Sequence, residues 1–448
     1  MLIRRLSALL IALLLGAGSL YYVQRVLIPY QKQDAVAHSR PRGILSDLYP
    51  RWIGARELIL NHRDPYGPEV TREIQTGYYG RPLDPSSPLD PHDQQGFAHP
   101  VYVAFLLLPT LGLPFTTAQT IATIVFFLLT AVSIALWVAL LHLSAGRSGA
   151  LLIAILTLTS LPVIQGLKLQ QLSLLVAALL AVTAALLAGG RFFAAGVLLA
   201  LATIKPQLAL LPTLWLLLWS FSRWRERQRV VWGFTSALAV LLACSEAVAP
   251  GWIPRFASAL AAYRQYAGGQ SILDTLLPHP LALILCLAAM AAAATVCART
   301  RTALANSPKF AHSLALVLAV TVLIVPMIAY YNQILLLPAV LLLWSRRHEL
   351  WRRGLPTQAA YVITAALLFW PFISATSLSL ISLAASPVTA QGLWAVPFYT
   401  SLYFPVALIG LLLLLPLHPL LPRPAPRIQL SPSRQRGILS SFLEQERQ

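Results

Sequence analysis

Long apolar segments follow one another along most of the chain, separated by short polar stretches. One of them is LLVAALLAVTAALLA at 174–188. A helix of about 20 apolar residues can cross a hydrocarbon core of about 30 Å, because its backbone N–H and C=O groups bond to one another inside the helix. The pattern therefore predicts an all-α fold, a polytopic transmembrane helical bundle.

The apolar segments predict about 12 spans. An even number of spans places both termini on the same side of the membrane. The predicted spans lie near 4–26, 99–113, 116–141, 150–163, 171–188, 192–220, 231–249, 281–298, 311–328, 331–345, 358–376 and 395–416.

Four regions follow from this division. Residues 1–28 form the first transmembrane helix, since their apolar run is longer than that of a secretory signal. Residues 29–97 form a large extracytoplasmic loop. Residues 98–416 form the transmembrane bundle, with a smaller outer loop near 250–280. Residues 417–448 are rich in Pro, Ser and Arg and form a flexible basic cytoplasmic tail.

The composition agrees with a membrane protein. Charged residues make up 11% of the 448-residue chain, against about 25% in soluble proteins. The formal net charge is +18, but in the termini and the short loops 19 Lys and Arg residues fall on one side of the membrane and 4 on the other, as the positive-inside rule describes. The positive charge thus indicates orientation, with the N-terminus inside, and not nucleic-acid binding. The cysteines, Cys244, Cys286 and Cys297, lie in apolar segments and indicate neither a disulfide framework nor a thiolate metal site.

Most of the carboxylates lie in the large outer loop. A carboxylate that acts on the outer face must come from this loop, from Glu246 or from Asp274. The acids of the loop are Asp34, Asp47, Glu57, Asp64, Glu69, Glu73, Asp84, Asp90 and Asp93.

A helix is predicted within this loop. Leu48, Trp52, Ala55 and Ile59 recur at helical spacing and form one apolar face. Such a helix would lie on the membrane surface, with Trp52 near the lipid headgroups, and would end near Asn61.

Asp47 stands immediately before this helix and has two interpretations. Ser46 or Asp47 could cap the helix that Pro50 helps to begin. Alternatively, Asp47 is a general base at the membrane interface, which removes a proton from an acceptor hydroxyl. Arg51 or Arg56, which point away from the apolar face, would keep the carboxylate ionised; both arginines could equally lie at a solvated or headgroup-bound surface.

Lys205 is the second candidate, because it lies in the middle of an apolar segment, ALATIKPQLALL. A buried lysine is costly and must face a cavity or a partner. Pro206 breaks the local backbone hydrogen bonding and Gln207 adds a polar group. Lys205 could bind a lipid-linked phosphate, or it could snorkel or pair with Glu246.

Weaker candidates lie in three loops. In PMIAYYNQILLLP at 326–338, at a predicted outer helix end, Asn332 and Gln333 could hydrogen-bond a sugar, whereas tyrosines such as Tyr330 and Tyr331 are common at membrane interfaces. The outer loop near 250–280 carries Tyr263 and Arg264 and could cap a cavity. The third loop holds four side chains of the types that bind metals, Asp90, His92, Asp93 and His99. Their spacing matches no specific metal-binding signature, so the alternative is a loop rich in turns.

Four segments together resemble glycosyltransferase family 87, which consists of polytopic GT-C-type enzymes. They are SDLYPRWIGARELILNHRDPY, FAHPVYVAFLLLPTLGLP, LQQLSLLVAALLAVTAALLAGGRFFAAGVLLALATIKPQLALL and PMIAYYNQILLLPAVLLLW. The resemblance implies a GT-C fold with its active site on the extracytoplasmic face of a bacterial-type cytoplasmic (inner) membrane. It implies an inverting transfer of a hexose, typically mannose, from a polyprenyl-phosphate donor to a lipid or glycan hydroxyl.

The same resemblance implies that Asp47 is the catalytic base, and the residues themselves suggest the other roles. The donor phosphate would be bound by Lys205, Arg51 and Arg56. No cofactor is required, no metal ligand is assigned, and the metal dependence stays open. Further substrate contacts are expected from Asp64, Tyr66, His99, Gln207, Tyr331 and Asn332.

The chain departs from the family pattern at two places. His99-Pro100 stands where Tyr-Pro is expected, and Gln170-Gln171 stands where Gly-Gln is expected. The predicted spans also place Gln170 near the cytoplasmic side, away from Asp47. Two other functions fit a chain of this kind: a transporter or flippase of lipid-linked sugars, and a non-catalytic membrane scaffold.

Overall fold

The helical class predicted from the sequence is confirmed, since every element in the described part of the chain is a helix. The predicted tail at 417–448 lies outside the described residues, as do His92 and Asp93. A computed structural model gives the structure of residues 2–37, 46–84, 86–87, 90, 94–266, 269–326 and 328–415.

The N-terminal quarter of the chain forms one long helical rod followed by shorter helices. A π-helical segment, Tyr22–Leu27, joins the two parts of the rod. A 3₁₀ turn, Leu108–Thr110, follows the last short helix. The α-helices of this region are α1 (Leu2–Tyr21), α2 (Ile28–Ala37), α3 (Leu48–Asn61), α4 (Pro68–Tyr79) and α5 (Val103–Leu107).

Helix α3 is the helix predicted in the outer loop, and its predicted end at Asn61 is confirmed. Its apolar face is covered by protein and not by the membrane surface: Leu48, Trp52 and Ala55 are all buried. The Trp52 indole Nε1 donates to the carbonyl oxygen of Thr110 at 3.2 Å. The sequence pattern identified this face correctly but not what covers it.

The middle of the chain forms a series of apolar helices of unequal length. Two of them, which cover 146–168, are bent by 54° at a short break. The helices are α6 (Phe115–Leu140), α7 (Gly146–Leu158), α8 (Leu161–Lys168), α9 (Leu172–Ala188), α10 (Phe192–Ala202), α11 (Pro206–Phe221) and α12 (Trp224–Val248).

The predicted span 192–220 is wrong, because the chain reverses direction within it. Helix α10 has 11 residues, which gives a length of about 17 Å and is too short for a hydrocarbon core of about 30 Å. The rings of Phe192, at the start of α10, and Trp219, near the end of α11, are 6.3 Å apart. Lys205 therefore lies at the tip of a helical hairpin.

The predicted span 99–113 is also wrong, since it contains α5 and a 3₁₀ turn. Because this segment was counted as a span, the next three predicted spans were given the wrong direction, and Gln170 was predicted on the opposite side of the membrane from Asp47. In the structure the backbone N–H of Asp47 donates to the carbonyl oxygen of Leu169 at 3.2 Å. The two segments lie side by side.

The last part of the chain completes the bundle. Two 3₁₀ segments, Tyr330–Leu336 and Thr400–Leu402, interrupt the helices. The α-helices are α13 (Trp252–Tyr266), α14 (Ile272–Leu276), α15 (His279–Thr300), α16 (Pro308–Ile324), α17 (Leu337–Ser345), α18 (Arg347–Trp351), α19 (Leu355–Ala384), α20 (Pro387–Gly392), α21 (Val396–Tyr399) and α22 (Tyr403–Leu414).

Several helices have the length and surface of membrane spans. Within the described ranges six helices are long and apolar enough to cross a membrane, or seven if α7 and α8 count as one span. Outward-facing residues on α15 include Leu283, 50% exposed, and Ile284, 61% exposed. Exposed apolar side chains at this density are stable in lipid and unfavourable in water. The predicted total of about 12 spans stays a prediction.

The close packing of α10 against α12 is testable. A methyl group added at Gly196 would meet the carbonyl oxygen of Val230, and one added at Gly233 would meet that of Phe193. We expect Gly196→Ala and Gly233→Ala each to cost about 1 to 3 kcal/mol of stability. Thermal unfolding of the detergent-solubilised protein, followed by circular dichroism, measures this as a lower transition temperature.

Gly410→Ala is the matched control, because nothing lies within 4 Å of a methyl group added there. Its transition temperature should equal or exceed that of the wild type, since alanine favours a helix over glycine by up to about 1 kcal/mol. An unchanged transition temperature in Gly196→Ala would contradict the backbone contact.

Candidate functional site

A cavity of about 300 Å³ lies where the ends of several helices meet. Asp47 and Arg51 reach it from the start of α3, and Lys205 reaches it from the tip of the α10–α11 hairpin. Tyr263 and Arg264, on α13, line its wall, as the outer-loop pattern had indicated. Among the described residues that line the cavity, Asp47 is the one carboxylate.

Gln171 connects the charged groups of this cavity. Its amide nitrogen Nε2 donates to the Asp47 carboxylate oxygen Oδ2. Its amide oxygen Oε1 accepts from Arg51 Nη2 at 3.4 Å and from Lys205 Nζ at 3.3 Å. An amide offers one acceptor oxygen and one donor nitrogen, so only this orientation satisfies a carboxylate and two cations together.

Arg51 is buried, with 5% of its surface exposed. Its Nε donates to His99 Nε2, and its Nη1 donates to the carbonyl oxygen of Gln170 at 3.2 Å. His99 Nδ1 is 2.8 Å from the carbonyl oxygen of Ala98, so the ring proton lies on Nδ1 and Nε2 is free to accept. Burial, together with the positive charges of Arg51 and Lys205, lowers the pKa of His99 well below its usual value. The ring is therefore neutral at physiological pH.

Lys205 is buried as deeply, with 6% exposed. Its ammonium group Nζ donates to Ser173 Oγ at 2.7 Å and to Asn332 Oδ1 at 3.4 Å, and it lies 4.8 Å from the centre of the Tyr331 ring. The alternative that Lys205 pairs with Glu246 is wrong, because Glu246 is exposed near the end of α12 and accepts the backbone N–H of Gly251.

Neither buried cation has a carboxylate within ion-pair distance among the described residues, although the charge of Asp47 acts on both. No carboxylate oxygen of the described chain lies within 4 Å of Arg51 or Lys205. Burial of an ion costs several kcal/mol even after relaxation, and here neutral oxygens and a π-face offset that cost. An arrangement of this kind favours an anionic ligand.

Most of the predicted site residues are brought together. The cavity lining includes six of them: Asp47, Arg51, His99, Lys205, Gln207 and Tyr331. Asn332 lies directly behind the lining, where its Oδ1 also accepts from Ser173 Oγ at 2.7 Å.

Three predicted residues lie outside the lining. Asp64 forms an ion pair with Arg255 on α13 at 2.9 Å. The Tyr66 hydroxyl donates to the carbonyl oxygen of His99 at 2.6 Å, so Tyr66 supports the segment that carries His99. The Arg56 guanidinium lies over the ring of Trp52, 5.4 Å from its centre. The structure therefore gives Arg56 no contact with the cavity.

Sequence reasoning missed Gln171 and misjudged Gln170. Gln170 has a φ of 47°, a left-handed conformation that favours glycine, which agrees with the glycine that the sequence resemblance led us to expect there. Its side chain is held by Ser46, whose Oγ donates to Gln170 Oε1 at 2.5 Å, and by Gln119, whose Nε2 donates to the same oxygen at 3.2 Å. The available signal for Gln171 was the expected Gly-Gln pair, in which Gln171 matches and Gln170 departs.

Several other described acids of the outer loop have structural partners. Arg63 pairs with Glu57 and Glu73, each at 2.8 Å, and Arg81 pairs with Asp90. Asp90 thus lies in an ion pair apart from His99. Over the described ranges no group of three or more His, Cys, Asp or Glu side chains could hold a metal ion.

Comparison with known proteins adds a family. The model of glycosyltransferase family 87 matches residues 97–326, which is more than half of the chain and includes His99, Gln171 and Lys205. Neither curated proteins nor solved structures gave a match. Combined with the apolar helices, the match confirms the resemblance noted from the sequence: the chain belongs to glycosyltransferase family 87 and is a membrane glycosyltransferase.

Proposed function

We propose that the protein transfers a hexose, mannose by analogy with the family, from a polyprenyl-phosphate donor to a hydroxyl of a lipid or glycan acceptor. The reaction inverts the anomeric configuration and takes place on the extracytoplasmic face of a bacterial-type cytoplasmic membrane. One observation carries the proposal: a single carboxylate, Asp47, shares a cavity with two buried cations, Arg51 and Lys205, that have no ion-pair partner in the described chain.

The proposed reaction is a single displacement. The Asp47 carboxylate accepts the proton of the acceptor hydroxyl, whose oxygen attacks the anomeric carbon. The bond between that carbon and the phosphate oxygen breaks, and the phosphate leaves with the bonding electrons. Arg51 and Lys205 stabilise the charge that collects on the phosphate, so the leaving group needs no protonated acid and the step needs no cofactor.

The two alternative functions fit the site less well. A transporter of lipid-linked sugars is expected to carry acids at the membrane midplane and a pseudo-symmetric pair of broken helices; here the carboxylate of the cavity stands at the start of α3. A scaffold would have no use for two buried cations beside a carboxylate. The family match also favours the enzyme.

Incubation of the purified protein with radiolabelled polyprenyl-phosphate sugars and a membrane lipid extract tests the proposal. We expect label to move from the donor to an acceptor in the extract. Absence of transfer from every polyprenyl-phosphate hexose would contradict it.

Asp47→Asn should abolish transfer while the protein stays folded. The amide has the same shape but cannot take a proton, and loss of a general base typically costs about 10²- to 10⁴-fold in rate. The measurement is the initial rate of label transfer, with thermal unfolding as the check on folding. Glu69→Gln is the control, since the Glu69 side chain belongs to the same loop and is 75% exposed. Retained activity in Asp47→Asn would exclude this residue as the base.

Lys205→Met should chiefly weaken use of the donor, because the methionine keeps the apolar stem and removes the charge. A hydrogen bond to a charged group contributes about 1.5 to 3 kcal/mol, so we expect the donor KM to rise by about 10- to 100-fold. Kinetics at varied donor concentration measure this, with Lys309→Met, outside the cavity, as control. An unchanged donor KM would remove Lys205 from donor binding.

A further inference from the structure

The amide of Gln171 occupies the point where the two cations converge. We propose that Gln171 is a positioning residue: its amide oxygen holds the place of a donor phosphate oxygen between Arg51 and Lys205, and its amide nitrogen fixes the Asp47 carboxylate. The inference rests on the proposed function. It adds that one side chain, Gln171, contacts both the subsite of the donor phosphate and the catalytic base.

The distances favour replacement of the amide oxygen by a phosphate oxygen. Gln171 Oε1 lies 3.4 Å from Arg51 Nη2 and 3.3 Å from Lys205 Nζ, both longer than the usual range of about 2.7 to 3.2 Å. The bond from Lys205 to Ser173 Oγ, at 2.7 Å, shows that the same ammonium group can reach a shorter distance. Charge-assisted hydrogen bonds to phosphate are shorter and about twice as strong as those between neutral groups. A phosphate oxygen therefore binds these cations better than the amide does.

The backbone around Gln171 is fixed independently of its side chain. The backbone N–H of Gln171 donates to the carbonyl oxygen of Gly166 at 2.8 Å, and that of Asp47 donates to the carbonyl oxygen of Leu169 at 3.2 Å. The side chain can thus turn about its Nε2 contact with Asp47, so that Oε1 leaves the two cations to a donor phosphate while Nε2 keeps its hydrogen bond to the carboxylate. The backbone distance between the Asp47 segment and the Gln171 segment does not change.

Two variants at this position should act in opposite directions on donor binding. In Gln171→Leu no oxygen competes with the phosphate, so a donor analogue should bind as tightly as to the wild type or up to about tenfold tighter. In Gln171→Glu a carboxylate pairs permanently with Arg51 and Lys205, so binding should weaken by more than about tenfold. Isothermal titration of the full chain in detergent with farnesyl phosphate, a short polyprenyl phosphate, measures both.

The transfer rate gives the second readout. Gln171→Leu leaves Asp47 without its amide donor, and we expect kcat to fall about 10- to 100-fold, as for loss of a hydrogen bond to a charged group, while the donor KM does not rise. Gln391→Leu is the matched control, because Gln391 is also buried but lies on α20, outside the cavity lining. Its kcat and its farnesyl phosphate Kd should equal those of the wild type.

The possible results separate the proposals. If both Gln171 variants weaken farnesyl phosphate binding equally, Gln171 is a direct donor ligand or a structural residue, and the inference is overturned. An unchanged kcat in Gln171→Leu overturns it as well. If the wild type transfers sugar and binds farnesyl phosphate, either result leaves the proposed function standing. If the wild type does not bind farnesyl phosphate, the polyprenyl-phosphate donor and this inference both fail.

Discussion

The burial of two cations without an ion-pair partner in the described chain is the constraint on which the site depends. A buried guanidinium and a buried ammonium need several acceptors each, since an unpaired buried charge costs several kcal/mol. Arg51 takes His99 and the carbonyl of Gln170, Lys205 takes Ser173 and Asn332, and both share Gln171. These acceptors belong to different segments of the chain, so all of these segments must reach the cavity.

This requirement explains why helices stop where they do. A continuous helix has its carbonyl groups bonded internally and cannot direct them at an arginine. The chain leaves the helical conformation at Gln170, whose φ of 47° frees its carbonyl oxygen for Arg51. It leaves it again before Pro206, which begins α11 and has no N–H to lose. The close contact of Gly196 with α12 then lets a helix of only 11 residues place Lys205 at the cavity.

Much of this could be predicted from the sequence, and the errors have physical causes. Lys205 stood out because a charge in an apolar segment is costly, and Asp47 because acids are rare outside its loop. Arg51 was read as a possible surface residue, since helical periodicity shows which residues share a face and not what covers that face. Protein covers the apolar side of α3 and the cavity lies beside Pro50 and Arg51, so Arg51 is buried whereas Arg56 is exposed. The predicted direction of the helices after 99–113 was wrong for a related reason. The hydropathy of 99–113 is high enough for a span, but the backbone there is divided into short helices.

The charges of the cavity also bear on the order of events in the proposed reaction. With a donor phosphate bound, which opposes the lowering of the Lys205 pKa to about 7 by burial and by Arg51, Arg51 and Lys205 carry two positive charges. Asp47 carries one negative charge, and His99 is neutral. A sugar phosphodiester brings one negative charge and makes the occupied site neutral. When the glycosidic bond breaks, the phosphate gains a second negative charge, but the acceptor proton has by then neutralised Asp47. The site is thus neutral before and after transfer, so proton removal and phosphate departure offset each other in a region where uncompensated charge is expensive. A base placed outside this cavity would lose that compensation, which is a physical reason for Asp47 to stand beside the two cations while the ion-paired acids of the outer loop bind arginines elsewhere.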